Sequence, residues 1–183
     1  MFTEKVDAQD SLGTTALLGG SVSEQLSATG RYDVKCLDAD GNLKWEDSIQ
    51  NLVVTVGKAN LLNVYLASGT QTTTWYLGLV DGASTPTYVV GDTMSSHAGW
   101  TESVAYSNAT RPTGTFATTA TSSIATSPTT FTINATATIA GAFLTTISTK
   151  SGTTGTLYSA GSFAASRAVI SGDSLLVTYT ALV

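Results

Sequence analysis

The sequence predicts a mainly β protein: an antiparallel β-sandwich of jelly-roll-like form, with one short helix and an extended N-terminal arm. Three observations carry that prediction. Apolar residues alternate with polar ones at period two in several separate runs, the pattern of a half-buried strand. Asp-Gly and other glycine-rich turn signals separate those runs at short intervals. Threonine and serine take strand positions that ions usually take, so only 11% of the chain is charged, against about 25% in an ordinary globular domain. Threonine suits a pleated surface because its branched β-carbon already restricts χ1.

Taken in order, the first element is an arm over residues 1–30, followed by a sandwich domain over residues 31–183. The arm contains LGTTALLGGSVSEQLSATG, with small residues and paired glycines but no sustained period of either kind. One short helical turn is expected near Ser23 to Leu26. Leu12, Leu17, Leu18, Val22 and Leu26 gain little by staying in water, which favours a strap laid on a neighbouring surface over a free tail. Those five are the expected interface residues.

From Arg31 the pattern sharpens. Tyr32, Val34 and Cys36 alternate with polar residues, Asp38 to Asn42 supplies a turn, and Leu43 and Trp45 resume the alternation. Asp-Gly brings the positive φ that a tight hairpin needs. NLVVTV reads as a short buried strand. After Gly57, KANLLNVYLASG sets Leu61, Leu62, Tyr65 and Leu66 on one face at helical spacing and closes with Gly69, so the helix belongs here. TTWYLGLVDG returns to strand and ends in another Asp-Gly turn. Further strands are expected in TFTINATATI, AGAFLTTIST, TLYSAGSF and DSLLVTYTALV, with turns at Gly152 to Gly155 and Gly172 to Asp173. In the last run Leu175, Val177 and Tyr179 share one face, and Leu176, Thr178 and Thr180 the other.

Size and charge bound the function. A chain of 183 residues fits one domain with a core of its own. A net charge of -5 and pI near 4.5 argue against the basic track that neutralises phosphates, so no direct nucleic-acid partner is expected. No apolar run approaches the ~20 residues that cross a bilayer as a helix. MFTEKVDAQDS is acidic and mixed instead of basic and then apolar, so no secretory signal is read and synthesis in a cytoplasm is expected. Cys36 is the single cysteine, which leaves no intramolecular disulfide framework and no multi-thiolate zinc site.

Thr113 to Ala165 holds Lys150 and no other charged residue. An uncharged strand edge invites pairing with another chain. Such a stretch is therefore either closed on itself or covered by partners, and the sequence leaves both open.

The segment HAGWTESVAYSNATRPT gathers the only histidine with a tryptophan, a tyrosine, a carboxylate and an arginine. A nucleophile needs His97 as its base, yet no Gly-x-Ser-x-Gly elbow exists and Cys36 sits in an alternating strand. The expectation is a loop held by structural anchors, His97, Trp100, Tyr106 and Arg111, with no catalytic, cofactor-binding or metal residue. DADGN resembles a calcium loop only at Asp38, Asp40 and Asn42; glycine falls fourth and Ile49 stands where a bidentate glutamate belongs. Asn108-Ala109-Thr110 and Asn134-Ala135-Thr136 are glycosylation triplets that a Thr-rich chain produces by chance. Asp81, Asp92 and Glu102 are not forced onto one site for glycoside cleavage. Trp75, Tyr76, Tyr88, Trp100 and Tyr106 read as core or loop anchors before they read as a sugar platform.

The run NLVVTVGKANLLNVYLASGTQTTTWYLGLVDG, then GDTMSSHAGWTESVAYSNATRPT, and later GAFLTTISTKSGTTGTLYSAGSF, resembles a group of small virion proteins encoded among the structural genes of tailed bacteriophages. The resemblance covers the chain from about Arg31 onward, and its most specific part is His97 to Pro112. It implies a virion component of β-sandwich type, does not imply an enzyme, and does not identify which part of the particle. Two placements follow. One is a capsid cement or decoration subunit on the head surface, with the major capsid protein and copies of itself as partners. The other is a tail- or fibre-associated sandwich that binds a host glycan.

Overall fold

The computed structural model describes residues 27–119 and 121–183. The expected interface residues Leu12, Leu17, Leu18, Val22 and Leu26, and the turn near Ser23, lie outside the described residues. Strand β1 (Thr29–Leu37) starts earlier than residue 31: Thr29 pairs with Leu182 and Gly30 with Ala181.

The fold is two packed antiparallel sheets, a β-sandwich with one helix. Besides β1 the first sheet holds β2 (Leu43–Gln50), β7 (Ser123–Ala125), β8 (Thr129–Thr132) and β11 (Ser174–Leu182). Its order is β2-β1-β11-β7, with β8 also on β11. The second sheet holds β3 (Leu52–Val53), β4 (Trp75–Asp81), β5 (Glu102–Ser103), β6 (Thr113–Gly114), β9 (Ala137–Thr145) and β10 (Leu157–Val169). Its order is β3-β10-β9-β4-β5, with β6 also on β4.

Alternation does what the sequence requires of it in the first sheet. Tyr32, Val34 and Cys36 of β1 and Leu175, Val177 and Tyr179 of β11 are buried against the second sheet, while their neighbours Arg31, Asp33 and Lys35 face out. The β1–β2 hairpin closes on Asp38, whose carboxylate accepts the backbone N–H groups of Asp40 and Asn42, with Gly41 at φ 85°. Those bonds, with the Asn42 side-chain amide, hold the Asp38 carboxyl below its ordinary range. Across the sandwich, Tyr32 Oη lies 2.6 Å from Ser159 Oγ, and Asn51 donates to Tyr179 Oη at 3.0 Å.

The second sheet is covered on both faces. Its inner face adds Leu77, Leu79, Ala142 and Leu144 to the main core. On its outer face Val80, Ala140, Phe143 and Ala160 form a second core with Val54, Met94 and Trp100. The residues before β4 and the long connection after it supply that cover. Gly78 makes room for it, because a β-carbon there would collide with the Phe143 ring.

Several boundaries differ from the sequence reading. Of NLVVTV only Leu52–Val53 is strand, and Thr55 and Val56 already belong to the helix Thr55–Leu66. TFTINATATI is not one strand: β8 ends at Thr132, Ile133 N–H donates to Asp173, and β9 begins at Ala137. β9 then runs unbroken through Gly141, into the segment assigned above to a separate strand. The close approach of Gly161 and Ser162 from β10 leaves no space for a side chain at Gly141, so the glycine is a crossing point and not a break.

Helix α1 (Thr55–Leu66) likewise starts before Gly57. Thr55 N–H donates to Val90 O and Lys58 N–H to Val54 O, so backbone bonds open the helix without a side-chain cap. It closes as Ala67 and Gly69 N–H both donate to Asn63 O. Among the described residues no helix is long and apolar enough to cross a membrane.

Candidate functional site

The segment His97–Pro112 is a clasp. Arg111 is fully buried and donates through Nε and Nη2 to the two oxygens of Glu102, at 2.9 and 2.8 Å. Its remaining donors reach Ile147 O at 3.0 Å and Gly152 O at 3.3 Å. Glu102 also accepts Ser151 N–H at 2.6 Å. The pair therefore ties the β4–β6 connection to the β9–β10 turn, with nearly every donor satisfied in the way a buried ion pair requires.

Lys150, the one charge in residues 113–165, completes the knot. Its Nζ donates to Tyr106 O at 2.7 Å and stands 3.8 Å from the centre of the Tyr106 ring. Burial pulls the Lys150 ammonium below its ordinary pKa, against the opposing pull of Glu102. Burial, aided by the Glu102 charge, pushes the Tyr106 hydroxyl well up. Tyr106 itself is buried edge-on against Phe131.

His97 stacks on Trp100 at 3.9 Å between ring centres, and its Nδ1 lies 3.0 Å from Trp100 O. That bond requires the proton on Nδ1. Trp100 Nε1 donates to the buried Asp92 at 3.1 Å, and its indole packs on Phe143 and Tyr88. Trp100 and Arg111 both pack on the Phe143 ring of the second sheet, His97 joins them through its stack on Trp100, and Tyr106 lies in the main core. A cleft of about 240 Å³ beside Trp100 is bordered by Met94, His97, Glu102 and Arg111.

The acids weighed for glycoside cleavage are separately employed: Asp92 by Trp100, Glu102 by Arg111, and Asp81 by Ala83 N–H at 2.8 Å. Cys36 is buried with Sγ 3.8 Å from Asp173, which is also paired with Lys44 at 2.6 Å. Burial and the Asp173 charge push the thiol up to about 11, so it is protonated at neutral pH and unreactive. Among the described residues no three His, Cys, Asp or Glu side chains gather to hold a metal ion.

The accessible features lie elsewhere and are apolar. Leu61, Leu62, Tyr65 and Leu66 do share a face of α1, but that face is uncovered: Tyr65 is 86% and Leu66 73% exposed. Val89 and Val90 are exposed near the helix start. Leu61 also borders an open groove of about 760 Å³ at one end of the sandwich, with Trp75, Phe116, Ile124, Tyr158 and Leu182. Among the described residues no charged side chain lines this groove. The edge strands beside it, β6 and β7, carry no charge, whereas the opposite edge β2 carries Lys44, Glu46 and Asp47.

Among the described residues, exposed apolar surface thus lies on α1 and around the groove, while the polar clusters described above are bonded within the fold. No protein-family model matches the chain, and no curated protein matches it.

Proposed function

We propose that this protein is a non-enzymatic virion subunit, a capsid cement or decoration protein that bridges capsid proteins and stabilises the head. The observation that carries the contact role is the uncovered face of α1. A helix on a soluble domain normally turns its apolar stripe inward, and here Leu62, Tyr65 and Leu66 point outward. Exposed apolar surface of this kind marks a contact with another molecule. The scarcity of charge is consistent with such a contact, since little ionic surface has to be desolvated. The virion reading rests on the sequence resemblance of residues 51–82, 91–113 and 141–163, which leaves head and tail open; the head is our choice between them. Repeated contacts of one subunit with several neighbours act multivalently, so each needs only modest energy.

The tail or fibre alternative requires aromatics beside carboxylates for a host glycan. The groove brings Trp75, Phe116, Tyr158 and Tyr179 together with no carboxylate among its lining residues.

Counting copies on purified particles by mass spectrometry tests the placement: hundreds are expected, a handful would move it to the tail, and none would overturn the virion reading. The triple substitution Leu62→Ser, Tyr65→Ser, Leu66→Ser tests the contact. It should leave the sandwich folded and weaken attachment by about tenfold or more.

A further inference from the structure

We infer that two copies of this chain pair about a twofold axis, each seating the Leu62–Leu66 ridge of its helix α1 in the apolar groove of the other. The inference names the partner of the contact surface proposed above. It concerns the isolated protein, so it is tested apart from any placement on a particle.

The helix is held at one end. Gly57 is its buried residue, and a β-carbon there would meet the Tyr158 backbone of β10. Past that turn Leu62, Tyr65 and Leu66 are 49%, 86% and 73% exposed. Isolated helices shorter than about 12–15 residues are marginal and draw their stability from packing of an apolar face. α1 has 12 residues, and among the described residues its apolar face is left open.

The groove adjoins the ridge and is shaped to cover it. Leu61 belongs to both, and residues 71–74, which follow the helix, border the groove. The wall across from them is closed, because Phe116 bridges to Thr126 and Ser127 N–H donates to Thr115 O. It therefore meets an occupant with side chains and not with a strand edge. A volume of about 760 Å³ lies in the range, about 300–1,000 Å³, that encloses a drug-sized molecule, enough for Tyr65 and Leu66 together.

Charge selects a second copy as the occupant. Each chain carries a net charge of -5, so identical chains repel unless they meet where ions are absent. Residues 59–80, 112–149, 151–166 and 174–183 hold no Asp, Glu, Lys or Arg, and the ridge and the groove are built from those four segments. Contact there desolvates no ion. Ridge and groove side by side on one chain also meet the requirement of a twofold interface, in which the same patch gives and receives. Twenty-one residues border the groove; with the ridge they match one side of a standard interface, about 20–30 residues.

Sedimentation equilibrium of the full-length chain tests the pairing, with two variants. Tyr65→Ser with Leu66→Ser removes the ridge, and Thr115→Glu, at an exposed position on the groove, places a charge where the ridge would sit. The native chain is expected to sediment as a dimer, and each variant to dissociate at least about tenfold more readily. Mixing the two variants should restore dimer, since one intact ridge then meets one intact groove. A native mass of one chain, or masses that climb beyond two, would overturn the inference. So would a mixture no more dimeric than its components, which is the result if ridge packs on ridge. Native hydrogen-exchange protection in residues 139–144 shows that a variant is folded, and Leu66→Ser alone or Thr73→Glu replaces one that is not.

Discussion

Arg111 and Glu102 form a two-pronged ion pair almost closed to water, their side chains 1% and 6% exposed. Nine residues apart in sequence, they bind a turn whose contributing carbonyls, Ile147 and Gly152, lie 36 and 41 residues beyond Arg111. Removing one partner strands a buried charge, so Arg111→Met should cost about 3–5 kcal/mol. Adding Glu102→Leu should recover only part of that, because Ile147 O, Gly152 O and Ser151 N–H still lose their partners. Urea unfolding of both variants checks this, and a double variant as stable as the native protein would refute the clasp.

Gly57 should resist the change that usually improves a helix. Alanine gains about 1 kcal/mol in helix propensity, but its β-carbon would run into the Tyr158 backbone carbonyl on β10. Backbone does not yield as a side chain does, so Gly57→Ala should be destabilising by about 1–3 kcal/mol. Gly91→Ala, where a β-carbon meets nothing within 4 Å, is the control and should shift the thermal midpoint very little.

His97 serves Trp100. Substituting His97→Gln removes the ring stack, worth about 1 kcal/mol, and leaves Trp100 bonded to Asp92. The expected outcome is a small drop in the unfolding midpoint with assembly intact. Loss of a measurable hydrolytic activity in this variant would contradict the non-enzymatic reading.

Stability should fall on the alkaline side. Burial first, with the Asp173 charge, lifts Cys36 from 9.0 to about 11, and burial lifts Tyr88 from 10.0 to about 12. The unfolded chain releases these protons first as pH rises, so their contribution is whole below pH 9 and is lost through pH 11 to 12. Between pH 9 and 10 Cys36 contributes at most about 1.4 kcal/mol per pH unit, beside the tyrosines Tyr32, Tyr88, Tyr106, Tyr158 and Tyr179, whose hydroxyls burial likewise pushes up. Cys36→Ala should flatten that part of the urea midpoint curve, and an unchanged slope would show that the thiol titrates alike in both states.

Local rules made much of this fold legible. The 2-residue period of β1 and β11, the Asp38–Asn42 hairpin and the site of the helix all follow from neighbours within a few residues of each other. His97, Trp100, Tyr106 and Arg111 stood out as unusual residue types in one segment; Trp100 and Arg111 meet at the Phe143 ring, while Tyr106 packs in the main core. Glu102 was weighed only as a spare acid, because nothing at nine residues' separation marks it as the partner of Arg111.

The sequence by itself determined the alternation of β1 and β11, the Asp38–Asn42 turn and which residues of α1 share a face, because those are properties of periodicity and backbone sterics. It did not determine whether a face is covered. Only the tertiary structure decided that Phe143 lies under Trp100 while Leu62, Tyr65 and Leu66 are exposed among the described residues, since burial depends on contacts between segments brought together from tens of residues apart. The same reason split TFTINATATI and carried β9 through Gly141: strand limits there are set by the backbone of β10 pressed against it, which no run of neighbouring residues records.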